Sequence, residues 1–203
     1  FGGRKLKLVH ERSGTYGIEN APNKDDLRGQ SSRVGKAPAT ELRSMKTGKR
    51  ICVLEEADIS KLEIAGWKPP QRFAAKARDG ETDIYGVIWR PSNFDASKTY
   101  PVIEHIYAGP HGSFVPKSFR TVHSAQHLAE IGFIVVQCDG MGTSNRSKAF
   151  QAVSHKNLGD SGFPDRILWM QAAAKQHPEM DLSNVGIYGG SAGGQSSLRA
   201  LLA

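Results

Sequence analysis

Val185-Gly186-Ile187-Tyr188, a short run of strand-forming residues, leads directly into Gly189-Gly190-Ser191-Ala192-Gly193-Gly194. From Gly193 to Ala203 the chain then reads as the start of a helix. The centre of that stretch, Gly189-x-Ser191-x-Gly193, is the pattern of a nucleophile elbow, a sharp strand-to-helix turn that exposes a serine hydroxyl. Sterics explain the glycines: a Cβ two positions either side of the serine would strike the neighbouring strand or helix. The N–H of Ala192 then lies at a helix N-terminus, aimed where the oxyanion of a tetrahedral intermediate forms. At ordinary Gly and Ser frequencies the three fixed positions arise by chance in roughly one chain in ten of this length. The surrounding elements therefore decide. A phosphate loop is almost spelled by Gly189, Gly194 and Ser196, but Gln195 stands where a lysine must meet the phosphates. No Gly-x-Gly-x-x-Gly lies near any predicted strand, so a dinucleotide site is not indicated.

Upstream of the elbow, strands and helices alternate. Arg72–Ala77 and Ile84–Trp89 are joined by Arg78-Asp79-Gly80-Glu81, with Asp79-Gly80 as the hairpin signal. Val102–Tyr107 is a third strand. Val122, Ala125, Ala129 and Gly132 fall on one helical face, with Gly132 placed to cap the helix. Phe133–Gln137 is apolar nearly throughout, as expected of a strand with helices on both faces. Pro164 suits the first turn of a helix running to Gln176 and stopped by His177-Pro178. A hairpin followed by βα units predicts an α/β domain with a mostly parallel sheet.

The best boundary is the cluster Gly66-Trp67-Lys68-Pro69-Pro70, which separates residues 1–68 from 69–203. Before it, residues 10–40 are rich in Gly, Ser, Asn, Lys and Pro without sustained period and read as loop or linker; Arg50–Leu54 is strand-like. The net charge of +7 belongs entirely to residues 1–50, which hold twelve Lys or Arg against five Asp or Glu. Those charges are scattered, and only Phe1 and Tyr16 offer stacking surfaces, so a solvated segment is expected and no nucleic-acid partner. The longest apolar run, Ile131–Val136, is far short of the roughly 18–20 residues that span a bilayer. Cys52 and Cys138, 86 positions apart, make neither a disulfide framework nor a metal pair. Residue 1 is Phe, no signal peptide is recognisable, and Leu198–Ala203 is apolar with no stop signal. The expectation is a piece of a longer protein; its compartment stays open, with the periplasm or the exterior both compatible.

Ile106-Tyr107-Ala108-Gly109-Pro110-His111-Gly112 closes the third strand. In an α/β-hydrolase sheet the loop at this place supplies the second oxyanion donor, and a Tyr hydroxyl can serve as well as an N–H. Alternatively, Tyr107 packs at a strand end.

At this point the resemblance becomes specific. Arg78-Asp79-Gly80 with Gly86 and Arg90-Pro91, Lys98–Ile103, Tyr107-Ala108-Gly109-Pro110, Asp139-Gly140-Met141-Gly142 and Gly189–Gly194 follow in order. With these the chain resembles the catalytic domain of the prolyl oligopeptidase family of serine peptidases, close to its dipeptidyl-peptidase branch. The likeness covers about residues 70–203. It is faint over 37–68, where the end of the family's β-propeller would lie, and it departs at Met141 and Asn184, where many members carry Arg. The resemblance implies the N-terminal half of an α/β-hydrolase fold, helices on both faces of its sheet, behind a β-propeller remnant. It makes Ser191 the nucleophile, with the Tyr107 hydroxyl and the Ala192 N–H as oxyanion donors. It further implies a peptide substrate, no cofactor or metal, and a homodimer as one form open to the full-length protein.

A serine nucleophile needs a base and an orienting carboxylate, in this fold in the order Ser, Asp or Glu, His. The residues after Ser191 contain none of these, and all seven histidines precede it. Residues 1–203 alone are therefore expected to be inactive, with base and carboxylate supplied from beyond residue 203. His123 and His127 are spaced i, i+4, but Ser124 follows His123 where a zinc peptidase has Glu; both lie opposite the Val122/Ala125/Ala129 face and are expected in solvent. His111 is expected to be structural or to face substrate. The competing readings are an esterase or acyl hydrolase of the same fold and a non-catalytic binding module. The Tyr-Ala-Gly-Pro loop and the propeller-like remnant favour a peptidase.

Overall fold

Residues 14–202 are described in the computed structural model. The chain divides into a first unit, up to Trp67 and including Pro116–Thr121, and a second of Lys68–Val115 and Val122 onward.

The first unit is a four-stranded antiparallel sheet in which β1 (Thr15–Asn20), β2 (Asp26–Arg33), β3 (Lys36–Ser44) and β4 (Arg50–Glu56) pair in sequence order. The expected loop over residues 10–40 is thus a strand region from Thr15 onward; residues 10–13 lie outside the described residues. Along β2, Leu27 and Gly29 are buried while Arg28 and Gln30 are exposed. The alternation of a half-buried strand is present, but one inward position is filled by glycine, so no apolar period appears in the sequence. On β3 the inward residue Glu41 is 7% exposed and pairs with Arg43 at 2.9 Å and Arg50 at 3.2 Å. Burial works against the Glu41 charge, but the two guanidinium groups outweigh it and hold the carboxyl below its ordinary range. Part of the basic excess therefore serves the sheet. A short helix, α1 (Ser60–Ile64), ends the contiguous part. The distant segment Pro116–Thr121 joins by three hydrogen bonds: Thr15 Oγ1 to the Lys117 carbonyl, the Phe119 N–H to Ser32 Oγ, and Trp67 Nε1 to the Thr121 carbonyl.

The second unit is built on a five-stranded sheet. The hairpin β5 (Gln71–Lys76) and β6 (Asp83–Trp89) lies antiparallel to β8 (Ile134–Cys138), whereas β7 (Tyr100–His105) runs parallel to both β8 and β9 (Met180–Tyr188). The strand order is β5-β6-β8-β7-β9. Every residue of β8 is buried, as its nearly continuous apolar run requires, with Gln137 the polar exception. The helices are α2 (Ser124–Glu130), α3 (Lys148–Ala152), α4 (Phe163–Gln176) and α5 (Ala192–Leu202). Pro164 sits in the first turn of α4, where a missing N–H costs nothing. Trp169 of α4, fully buried, lies where a Cβ on Gly86 would be, 2.5 Å from the ring, so β6 and α4 approach only because position 86 is glycine.

Three details differ from the sequence reading. Val122 is 62% exposed and precedes α2, whose buried face is Ala125 and Ala129 alone. His123 is half-buried rather than solvated: its Nδ1 accepts the Ala125 N–H at 3.2 Å, and its ring stacks on Trp89 at 4.7 Å. A polar side chain before a helix has been used as its N-cap. Strand β9 begins at Met180, not Val185. The register slips between Pro101 and Val102, where Asp181 accepts from Ser183 and Asn184 and holds a bulge that reads as a turn.

The hairpin turn is anchored from below. Arg78 gives two hydrogen bonds of 2.7 and 2.8 Å to Asp160, and its guanidinium and N–H also reach Asp165. Asp165 is fully buried in the first turn of α4, where its charge suits the helix dipole, and it accepts the Met141 N–H as well. Hydrogen bonding to Arg78 holds the Asp160 carboxyl below its ordinary value. The stability this contributes is complete above about pH 4, the unfolded carboxylate range, and is lost as pH falls through the lower folded value. The difference in unfolding free energy between wild type and Asp160→Asn should therefore be largest near neutrality and shrink below about pH 4 in urea titrations. A difference that is flat across that range would remove the Arg78–Asp160 pair from the account.

Candidate active site

Strand β9 ends at Tyr188 and α5 begins at Ala192, so Ser191 occupies the turn between them. Its φ is +53°, the left-handed region that a non-glycine residue enters only under constraint, and its side chain is exposed. The constraint is a close approach of backbones. A Cβ on Gly189 would lie 2.1 Å from the Ile106 carbonyl oxygen, and one on Gly193 would lie 2.2 Å from the same atom. Alanine at either position would have to push the end of β7 away. Gly190 has open space around its Cβ position.

This packing sets the end of β7 beside the elbow. The Ile106 N–H donates to the Tyr188 carbonyl at 2.9 Å, and the Tyr107 Cα is 3.2 Å from a Cβ built on Gly193. Tyr107 and Ser191 therefore belong to one locality at the C-terminal edge of the parallel strands, where ligands bind in sheets of this type. Ala108 follows with φ +63°, a second constrained residue. Within the turn the Gly193 N–H goes back to the Gly190 carbonyl and the Gln195 N–H to the Ser191 carbonyl. Among the described residues the Ala192 N–H has no partner, as befits the first residue of an eleven-residue helix. An unpaired N–H, a helix N-terminus and an exposed hydroxyl are what acyl transfer uses to hold an oxyanion beside a nucleophile.

Aromatic rings wall one side. The Tyr107 ring is 4.2 Å from Phe114 and 5.6 Å from the exposed His111, edge to face. Phe114 is held there by Asp139, whose carboxylate accepts the N–H groups of Phe114 and Val115 at 2.8–3.0 Å, while Gln137 Nε2 donates to the Phe114 carbonyl. Below, His105 and Tyr188 close β7 and β9 and stack in parallel at 4.6 Å. Burial lowers the His105 value and raises that of Tyr188, so both stay neutral near pH 7.

The backbones of Tyr107, Ser191 and Ala192 meet at the elbow, whereas the His123 ring packs on Trp89 and His105. An open groove on the second unit is lined by Ser124, His127, Ile187 and Tyr188 rather than by Ser191. Phe114 carries no signal in the sequence. Asp139-Gly140 was visible only as a motif, and nothing in its spacing tells that its carboxylate clamps the loop before it. Among the described residues no group of three His, Cys, Asp or Glu side chains could hold a metal ion.

A strand, a constrained serine and a helix set against the end of a parallel strand make a tight strand-to-helix turn within an α/β unit. Residues 117–203 match the sequence model of the prolyl oligopeptidase family. The chain is 33% identical over 141 residues to mouse (Mus musculus) dipeptidyl peptidase 8, covering 68% of this chain and 16% of that protein. It is 36% identical over 150 residues to a protein of Trichophyton verrucosum described as "Probable dipeptidyl-aminopeptidase B", covering 73% of this chain and 16% of the other. The crystal structure of Porphyromonas gingivalis dipeptidyl peptidase 4 superposes with a TM-score of 0.78 at 24% identity, over 95% of this chain and 27% of that one, a likeness of fold. These matches show the resemblance to the prolyl oligopeptidase family of serine peptidases, on its dipeptidyl-peptidase side. The chain spans about a sixth of the length of the curated relatives it matches.

The two elbow glycines make a direct test of the geometry. Gly190→Ala should leave unfolding free energy within about 0.5 kcal/mol of wild type. Gly189→Ala should cost roughly 1–3 kcal/mol or more, as overpacking against a carbonyl does. Equal effects in denaturant titrations would mean that the Ile106 contact is not the constraint described.

Proposed function

We propose that this chain carries the nucleophile of a serine peptidase that cleaves peptides through an acyl-enzyme at Ser191. The observation that carries the reading is Ser191 at φ +53°, exposed, between two glycines packed on the Ile106 carbonyl. In the first step the Ser191 hydroxyl attacks the scissile carbonyl, and the Ala192 N–H and the Tyr107 hydroxyl receive the developing oxyanion. Among the described residues the Tyr107 hydroxyl has no hydrogen-bond partner, which leaves it free to donate. The base that takes the serine proton and the carboxylate that orients it would come from beyond residue 203, in the chain order this fold uses. Residues 69–203 are read as the first half of an α/β-hydrolase domain. The antiparallel sheet of β1–β4 is read as the end of a β-propeller. The dipeptidyl peptidases among the relatives make peptides the substrate of choice over simple esters.

The test uses the intact protein that contains this chain and a chromogenic dipeptide of X-Pro or X-Ala type. Ser191→Ala should lower kcat by about 10⁶-fold. Tyr107→Phe should lower it by about 10²–10³-fold with KM little changed, since only the transition state loses a donor. Turnover that survives Ser191→Ala would sink the assignment. Hydrolysis of simple acyl esters without any peptide turnover would favour the esterase reading.

A further inference from the structure

Beneath the elbow lies a charge pair that neither motif nor spacing announced. Glu104 of β7 and Arg166 of α4 are 3% and 1% exposed, with Arg166 Nη1 donating to Glu104 Oε1 at 2.6 Å. Burying two charges costs so much desolvation that such a pair seldom stabilises a fold better than apolar side chains of similar volume. Its connections suggest another use. Glu104 stands two residues before Ile106, whose carbonyl is wedged between Gly189 and Gly193. Arg166 Nε donates to the Ser161 carbonyl at 2.9 Å. Ser161, itself at φ +50°, places its hydroxyl 2.9 Å from that of Ser196. Ser196 is 4% exposed on the inner face of α5, five residues after Ser191. The strand that leads to Tyr107 and the helix that starts at the elbow are thus joined by a second route. Cys138 Sγ lies 3.9 Å from the guanidinium and 4.0 Å from the carboxylate. Burial pushes its thiol far up, so it adds no charge.

We propose that Glu104, Arg166, Ser161 and Ser196 form a positioning relay that sets α5 against β7, and through them Ser191 against Tyr107; this rests on reading Ser191 as the nucleophile. None of the four touches substrate. The relay acts by fixing where two other residues stand, and a misplacement of about 1 Å at a reacting centre can cost on the order of 100-fold in rate.

Two variants of the intact protein test it. Glu104→Leu combined with Arg166→Met removes both charges together, the change that buried pairs tolerate best. Ser196→Ala breaks only the last link. The double variant should keep its thermal midpoint and its KM for the chromogenic dipeptide, yet lose about 10- to 100-fold in kcat. Ser196→Ala should lose kcat in the same direction by a smaller factor. Amide exchange should quicken at residues 106–109 and 189–196 while β5 and β6 keep their protection. A merely structural pair would lower the midpoint and leave kcat of the folded protein alone. Folded variants with wild-type kcat and unchanged exchange at the elbow overturn the relay. Should the double variant not fold, Ser196→Ala decides by the same readouts. If the wild type shows no Ser191-dependent turnover, the peptidase reading fails, while the exchange measurement still decides whether the pair positions the elbow.

Discussion

One carbonyl oxygen, that of Ile106, lies in the space that side chains at residues 189 and 193 would occupy, and much else in the second unit follows from that intrusion. Because β7 comes so close, the turn after β9 has no room for an ordinary bend, and Ser191 is driven to positive φ. Forced into that conformation, it projects away from the packed backbones and into solvent. The same approach carries Tyr107, the next residue along, to the foot of α5. Strain at one residue, of order 1–3 kcal/mol, persists only where surrounding contacts over-determine it. Here those contacts are backbone to backbone, the least deformable kind.

Around that contact the supports are polar and nested. Asp139 clamps the loop that brings Phe114 to Tyr107. Arg78, Asp160 and Asp165 tie a surface hairpin to the start of α4 and to the Asp139–Gly142 loop. Gly140 and Gly162 are stacked so closely that a Cβ on either would lie 2.9 Å from the other's backbone. Polar supports of this sort are directional where apolar contacts are not, which suits them to holding angles rather than adding bulk stability.

How much of this could be read beforehand follows from where each signal resides. The α/β unit was legible because its signals are local: the nearly continuous apolar run of β8, Pro164 opening α4, and glycines spaced about Ser191. The antiparallel sheet was not, because β2 spends an inward position on glycine and β3 fills one with a charged glutamate that needs Arg43 of the same strand and Arg50 of β4. For the site, the serine and its glycines declare themselves by spacing. The contacts of Phe114 with Gln137 and Asp139, and of Glu104 with Arg166, join residues 23 to 62 positions apart, and a single sequence carries no sign of such pairings. His123 failed for a related reason. Helical periodicity treats it as one face of a helix, whereas it stands at the helix entrance and packs on Trp89 of another strand.

The six residues Pro116–Thr121 have a consequence for anyone wishing to take the protein apart. They are covalently inside the second unit but bonded, through Lys117, Phe119 and Thr121, to Thr15, Ser32 and Trp67 of the first. The polypeptide therefore crosses the boundary three times, and no single cut separates the two bodies. An expression clone beginning at Lys68 would carry an orphaned strip with the Phe119 ring stripped of Trp67, its neighbour at 5.2 Å. A clone ending at Trp67 would lack the strip that its own sheet binds. Dissection here calls for grafting or circular permutation at that strip, not truncation.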